Sequence, residues 1–279
     1  MRNLSTNTIL FNVAGIAIVV TAIGYMAHNL ITTERVPRCT SRFPAGQQFA
    51  FDGETGKPLS PIELQGRSGM REWGVLKNAH IVATRGDPSA TTLVVSLATT
   101  GNEENTDQNG VGFVWPISDL ATAHSSCLSY NVFFPSGFKF TEPGYLPGVF
   151  GAADAAQLDD SKPADSFAVR MGWAQQGAIG AEIRAPSTSG YWQGATEQAL
   201  WPLGRWVSVE QEVSLNTPGA DDGVVRIWID GSLTVESNVT NLRVAPQSTL
   251  TGVVSEIGYA RTASDVASIK VSPFTMQWQ

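Results

Sequence analysis

From about residue 70 onward the chain is built of short apolar runs broken by turn signals, and that pattern restricts it to β-structure. The runs include His80-Ile81-Val82-Ala83-Thr84, Thr92-Leu93-Val94-Val95-Ser96-Leu97 and Leu128-Ser129-Tyr130-Asn131-Val132-Phe133-Phe134. Others are Phe167-Ala168-Val169-Arg170-Met171, the stretch from Trp206 to Val213, and Val224-Val225-Arg226-Ile227-Trp228-Ile229. They are rich in β-branched and aromatic residues, and several alternate apolar with polar, which is the period-2 signature of a strand. Asp-Gly at 52–53, 222–223 and 230–231 marks tight turns. No long stretch of this region shows apolar residues at helical spacing, so the expected fold is all-β: an antiparallel two-sheet β-sandwich of jelly-roll, lectin-like type over residues 70–279. The 12 Phe and 8 Trp can fill the core of such a sandwich, and 27 Gly with 15 Pro supply its turns.

The N-terminus is of a different kind. Ile9 to Ala27 reads ILFNVAGIAIVVTAIGYMA, without a charge and with Asn12 as its only strongly polar side chain. About 19 residues suffice for one transmembrane helix. A cleaved signal and a retained signal-anchor are both open. The run is long for a signal, and Tyr25-Met26-Ala27 is not a small-x-small site, which favours the anchor; Ala22-Ile23-Gly24 is the competing cleavage site. The expected division is therefore an anchor at 1–30, a linker and irregular lead-in at 31–69, and the sandwich after it.

The formal net charge is −7, with no basic run. This argues against nucleic acid as a partner and against long-range attraction of an anionic polymer, though not against a local basic cleft. The two cysteines, Cys39 and Cys127, have no CxxC spacing and few histidines beside them, so no zinc site or other cofactor is expected. In an exported chain they would form one disulfide fastening the lead-in to the sandwich; the alternative is two buried thiols. The acidic stretch Asn102-Glu103-Glu104-Asn105-Thr106-Asp107-Gln108-Asn109 reads as a solvated hairpin tip and does not match an EF-hand calcium loop. His80 reads as a structural histidine. Asp159, Asp160 and Asp165 read as solvated loop residues, which leaves little for a hydrolase with paired carboxylates.

Two segments carry a family resemblance. One is Phe134-Pro135-Ser136-Gly137-Phe138-Lys139-Phe140, followed by Gly144-Tyr145-Leu146-Pro147-Gly148-Val149-Phe150-Gly151. The other is Leu215-Asn216-Thr217-Pro218-Gly219-Ala220-Asp221-Asp222-Gly223 running into Val224 to Gly231. With Phe167-Ala168-Val169-Arg170 and Trp173 between them, they resemble the alginate and glucuronan lyases built on a β-jelly roll. The resemblance runs from about residue 125 to the end and is faint over 70–124.

Such lyases cleave uronate polymers by β-elimination, which needs a cation to neutralise the carboxylate, a base for the C5 proton and an acid for the leaving oxygen. In the family these roles fall to a Lys before Leu-Pro-Gly, a Phe-Ser-x-Arg strand and a Tyr-x-Tyr pair before a Pro. Here the matching positions are Tyr145, Ala168 with Arg170, and Glu182 with Arg184 before Pro186. Arg170 alone survives, so the resemblance implies Arg170 and Tyr145 as the candidate catalytic pair. Glu182 and Arg184, two apart on a strand, share a face and are expected to pair. A shifted loop would put Tyr191 in the place given to Arg184. Arg226 and Trp228 share the strand face opposite Val225, Ile227 and Ile229, which suits either a sugar or an ordinary outer-face pair.

Two functions remain in competition. One is a non-catalytic glycan-binding module or accessory subunit of a membrane assembly; the other is an active endolytic lyase on a uronate-containing polysaccharide. The expected partners are the membrane through Ile9–Ala27, a polysaccharide, and a membrane-protein complex. Arg35, Arg38 and Arg42 outnumber Arg2, so a Lys/Arg count places the domain on the cytoplasmic side. The cysteine pair and the resemblance favour the exported side, periplasmic or extracellular.

Overall fold

In chain order the strands are β1 (Ala45–Phe49), β2 (Glu72–Trp73), β3 (Ala79–Thr84), β4 (Asp87–Ser96), β5 (Gly110–Pro116), β6 (Ser125–Phe133), β7 (Gly144–Ala152) and β8 (Ser166–Trp173). They continue with β9 (Ile179–Ala185), β10 (Thr188–Gly194), β11 (Trp206–Ser214), β12 (Gly223–Ile229), β13 (Ser232–Thr240), β14 (Thr249–Tyr259), β15 (Ser268–Val271) and β16 (Phe274–Trp278). The computed structural model describes residues 19–21, 36–53, 56–68, 72–84, 87–97, 110–153, 166–186, 188–195, 198–261 and 267–279. A nine-stranded sheet has the order β13-β12-β11-β6-β15-β4-β3, with β16 beside β6 and β1 beside β16. A seven-stranded sheet has the order β10-β9-β8-β7-β14-β5-β2. The all-β antiparallel sandwich that the strand periodicity predicts is the fold.

Alternation along the strands fills the space between the sheets. Val225, Ile227 and Ile229 point into one core with Val207, Val209 and Val213 of β11, and with Val169, Met171 and Trp173 of β8. Trp173 is edge-on to Phe134 at 5.5 Å and to Tyr259 at 5.9 Å. Each such ring, fully buried, contributes about 1.5–3 kcal/mol. Two hydrogen bonds cross this core. Gln211 Nε2 donates to the Val169 carbonyl at 2.9 Å, and the Tyr130 hydroxyl to the Pro147 carbonyl at 3.0 Å. Both end on strands of the seven-stranded sheet.

The sandwich begins earlier than the 31–69 lead-in implies. Ala45–Phe49 is already a strand, paired with Phe274–Trp278. Pro61–Arg67 forms a short helix closed by a capping box between Ser60 and Glu63. The stretch from Arg38 to Phe43 lies on the outer face of the nine-stranded sheet. Cys39 is joined there to Cys127 of β6, with Cα atoms 5.7 Å apart. Arg38 and Arg42 pair with the buried carboxylates of Glu210 and Glu212, and Thr40 Oγ1 donates to Glu210 at 2.8 Å. Burying two carboxylates is tolerable only with such partners.

The chain divides into two compact units, Met1–Pro37 and Arg38–Gln279. In the first, residues 19–21 are helical, and the rest of the expected span Ile9–Ala27 lies outside the described residues. Among the described residues no helix is long and apolar enough to cross a membrane. Asn102–Asn109, Asp159, Asp160 and Asp165 also lie outside the described residues.

Candidate functional site

Strands β7, β8, β9 and β14 bring one polar cluster together on the face of the seven-stranded sheet that points away from the core. On β8 the core takes Phe167, Val169, Met171 and Trp173; on β9 it takes Ile179, Ala181, Ile183 and Ala185. The intervening residues, Ala168, Arg170 and Gly172 on β8 and Gly180, Glu182 and Arg184 on β9, therefore share the opposite face. Cross-strand register sets Arg170 directly beside Glu182, and Ala168 beside Arg184. On β7 the register shifts between Tyr145 and Gly148. Pro147 lies within that interval and has no N–H for the ladder.

The Arg170 side chain is only 5% exposed and is held by two carboxylates: Nη1 is bound to Glu256 of β14, and Nε lies 3.6 Å from Glu182 Oε2. Glu182 Oε1 is 3.3 Å from Arg184 Nε and accepts from the Tyr145 hydroxyl at 3.4 Å. The Arg170 guanidinium carbon stands 5.1 Å from the centre of the Tyr145 ring. The cluster thus contains two guanidiniums and two carboxylates. Beside it, on the same face, Phe150, Ala168 and Val254 form a small buried apolar group. Burial, then the Glu182 carboxylate, push the Tyr145 phenol above its ordinary value, against the opposite pull of Arg170 and Arg184.

Tyr145, Arg170, Glu182 and Arg184 thus meet in one place, and Glu182 and Arg184 pair as their spacing suggests. Tyr191 does not join them. It is the partner of Ile183, whose side chain enters the core, while its neighbour Trp192 is the partner of Glu182. Arg226 and Trp228 belong to the other sheet. Arg226 binds Glu236 at 2.8 Å and Asn238 at 3.1 Å, and lies 3.7 Å from Glu212. Trp228 is 1% exposed, so it offers no ring to a sugar. Its cross-strand partner Glu210 is itself covered by Arg38 and Thr40. His80 is exposed on β3, apart from the cluster. The sequence reading missed two members of this face, Glu256 and Trp192. With Val253 and Ile257 in the core, period 2 puts Glu256 on the opposite face, but only the sheet order brings it to Arg170.

Among the described residues one grouping has metal-ligand side chains: Cys39, Cys127 and Glu210. Its sulfurs are bonded to each other and its carboxylate is bound by Arg38 and Thr40. These donors are already committed and do not suit a cation.

A family model described as Polysaccharide lyase 14 matches residues 86–270. Solved structures share the fold. A marine PL-14 alginate lyase from Aplysia kurodai is 18% identical with a TM-score of 0.68, the match covering 85% of this chain and 99% of that one. An alginate lyase from Chlorella virus is 16% identical at 0.60, over 72% and 89%. An endo-beta-1,4-glucuronan lyase from the fungus Trichoderma reesei is 12% identical at 0.51, over 76% and 90%. Among curated proteins nothing matches.

Proposed function

The chain belongs to the Polysaccharide lyase 14 family, and from that premise we propose that it uses the lyase scaffold to hold a polysaccharide without cutting it, as a membrane-tethered binding or accessory subunit. One observation carries the reading: Glu182 sits between Arg170 and Arg184. A guanidinium as buried as that of Arg170 needs a counter-charge. In a uronate lyase the substrate carboxylate can supply it; here Glu182 and Glu256 supply it from within the chain. A uronate reaching this face would meet two carboxylates, and displacing either would leave a charge poorly compensated.

The groups for proton transfer are also poorly suited. The Tyr145 phenol is pushed above its ordinary value and donates a hydrogen bond to Glu182, so at neutral pH it stays protonated and does not serve as the base for a C5 proton. Ala168, Glu182 and Arg184 stand at the positions where the family resemblance expects a serine and two tyrosines. Losing one positioned acid–base group costs about 10² to 10⁴ in rate, and several are replaced here. The competing reading, an active lyase, is favoured by the close approach of Tyr145 to Arg170.

In this reading Ile9–Ala27 is the membrane anchor and the sandwich faces the exported side. The Cys39–Cys127 link, suited to an oxidising compartment, supports that orientation. The test is to incubate the full chain with alginate and with polyglucuronate and follow the ultraviolet absorbance of unsaturated uronate ends. The expected result is no product above the no-enzyme control. Product formation abolished by Arg170→Ala would establish the lyase instead.

A further inference from the structure

Trp192 rises from the same face as the Arg170 cluster, because its cross-strand partner is Glu182. Its indole lies down over two glycines of the neighbouring strands. A Cβ on Gly180 would stand 2.5 Å from indole atoms Cε2 and Cζ2, and one on Gly172 would stand 3.5 Å from Cζ3. A side chain at Gly180 would lift the ring off the sheet. Gly180 and Gly172 are direct cross-strand partners, and the next residue in that row is Tyr145. On this floor Trp192 remains 39% exposed. A flat indole backed by bare backbone and open on its outer face is a surface on which a pyranose ring stacks.

The charges beside the ring select the class of sugar. Glu182 and Glu256 are committed to Arg170, and Glu182 also to Arg184. Such paired groups still accept from and donate to hydroxyls. They do not present the surplus positive charge that a uronate carboxylate requires, and the two glutamates oppose it.

We propose that the strip of sheet face from Trp192 to Tyr145 is a subsite for a neutral sugar residue of a polysaccharide, stacked on the Trp192 indole with its hydroxyls read by the Glu182–Arg184 pair. The proposal rests on the reading of this face as a binding site without turnover and adds the ligand class.

The experiment uses the full chain in detergent with two probes: soluble glucomannan, which is neutral, and alginate, which is a polyanion. Titration calorimetry should show glucomannan bound more tightly than alginate. Trp192→Ala should weaken glucomannan binding by about tenfold or more, and Trp192→Phe should keep most of it. As a measurement independent of any variant, glucomannan should protect Trp192 of the unmodified chain from oxidation by N-bromosuccinimide, read by peptide mass spectrometry. Tighter binding of alginate, absence of binding to either probe, or absence of protection at Trp192 overturns the proposal. The two layers fail separately. Glucomannan binding that ignores Trp192 removes this subsite and leaves the non-catalytic reading standing. Unsaturated product from alginate removes that reading, even where Trp192 still binds glucomannan.

Discussion

Glu182 is the direct cross-strand partner of Arg170, and its carboxylate reaches both that guanidinium, at 3.6 Å, and that of Arg184, at 3.3 Å. This internal counter-charge leaves Arg170 without need of a substrate carboxylate. Neutralising it should convert the ligand preference. The double variant Glu182→Gln, Glu256→Gln keeps the side-chain shapes but leaves the guanidiniums without their carboxylates. Alginate affinity at low salt should rise by about tenfold or more, since a charge-assisted hydrogen bond contributes roughly 1.5–3 kcal/mol. Unchanged alginate affinity would mean that these carboxylates do not govern access to Arg170.

Tyr145 gives a pH prediction. Its folded-state pKa lies above the ordinary 10.0, chiefly through burial and then through Glu182. The fold therefore favours the protonated phenol, and this contribution is fully present below the ordinary value and lost as pH rises through the folded value. In an alkaline titration followed by tyrosinate absorbance, the difference between the unmodified chain and Tyr145→Phe should be a single step with its midpoint above 10.0. A midpoint at or below that value would contradict the geometry described for this phenol.

The Cys39–Cys127 bond closes a long loop, with a sequence separation of 88. In the chain-entropy account such a closure contributes about 4 to 5 kcal/mol. Urea denaturation with and without reductant, or of Cys39→Ser paired with Cys127→Ser, should show a loss of that order. The lead-in that carries Arg38 and Arg42 should also become sensitive to protease, since their ion pairs to Glu210 and Glu212 lie beside the bond. An unshifted midpoint would show that those pairs hold the lead-in without it.

Asn216, in one of the segments that carry the resemblance, has a structural role. Its buried amide nitrogen lies 2.8–2.9 Å from the carbonyls of Thr217, Ala220 and Arg243, which share its two N–H groups, and its oxygen accepts from the N–H groups of Leu242 and Arg243. Asn216→Ala should cost about 2–4 kcal/mol by leaving several of these buried groups unmatched, with glycan affinity unchanged where the chain stays folded. Thermal unfolding and calorimetry on the same sample check both halves. A loss of affinity without a loss of stability would assign Asn216 to the site.

Strand alternation made most of the architecture legible, because one buried face imposes period 2 on every strand. It placed Val225, Ile227 and Ile229 on one side of β12 and Arg226 with Trp228 on the other. It did not reveal that the outer face there is covered, because the covering stretch Arg38–Phe43 is distant in sequence and held by a disulfide. The site was legible where register is regular: Arg170, Glu182 and Arg184 follow from spacing and resemblance. It was not legible on β10, where the register shifts between Thr188 and Tyr191. That irregularity sets Trp192, and not Tyr191, on the outer face that carries Arg170, and the sequence sign of it is Gly190. Glu256 was missed because its proximity to Arg170 depends on β14 and β8 flanking β7, an arrangement that no local pattern records.

On the proposed function, the Arg170 face holds a polysaccharide and leaves it intact. Size-exclusion chromatography with light scattering, run on the full chain after long incubation with glucomannan, alginate and polyglucuronate in turn, reads both halves at once. The protein should co-elute with glucomannan, and the mass distribution of all three polymers should be unchanged. Shortening of alginate or polyglucuronate, absent when Arg170→Ala replaces the unmodified chain, would contradict it.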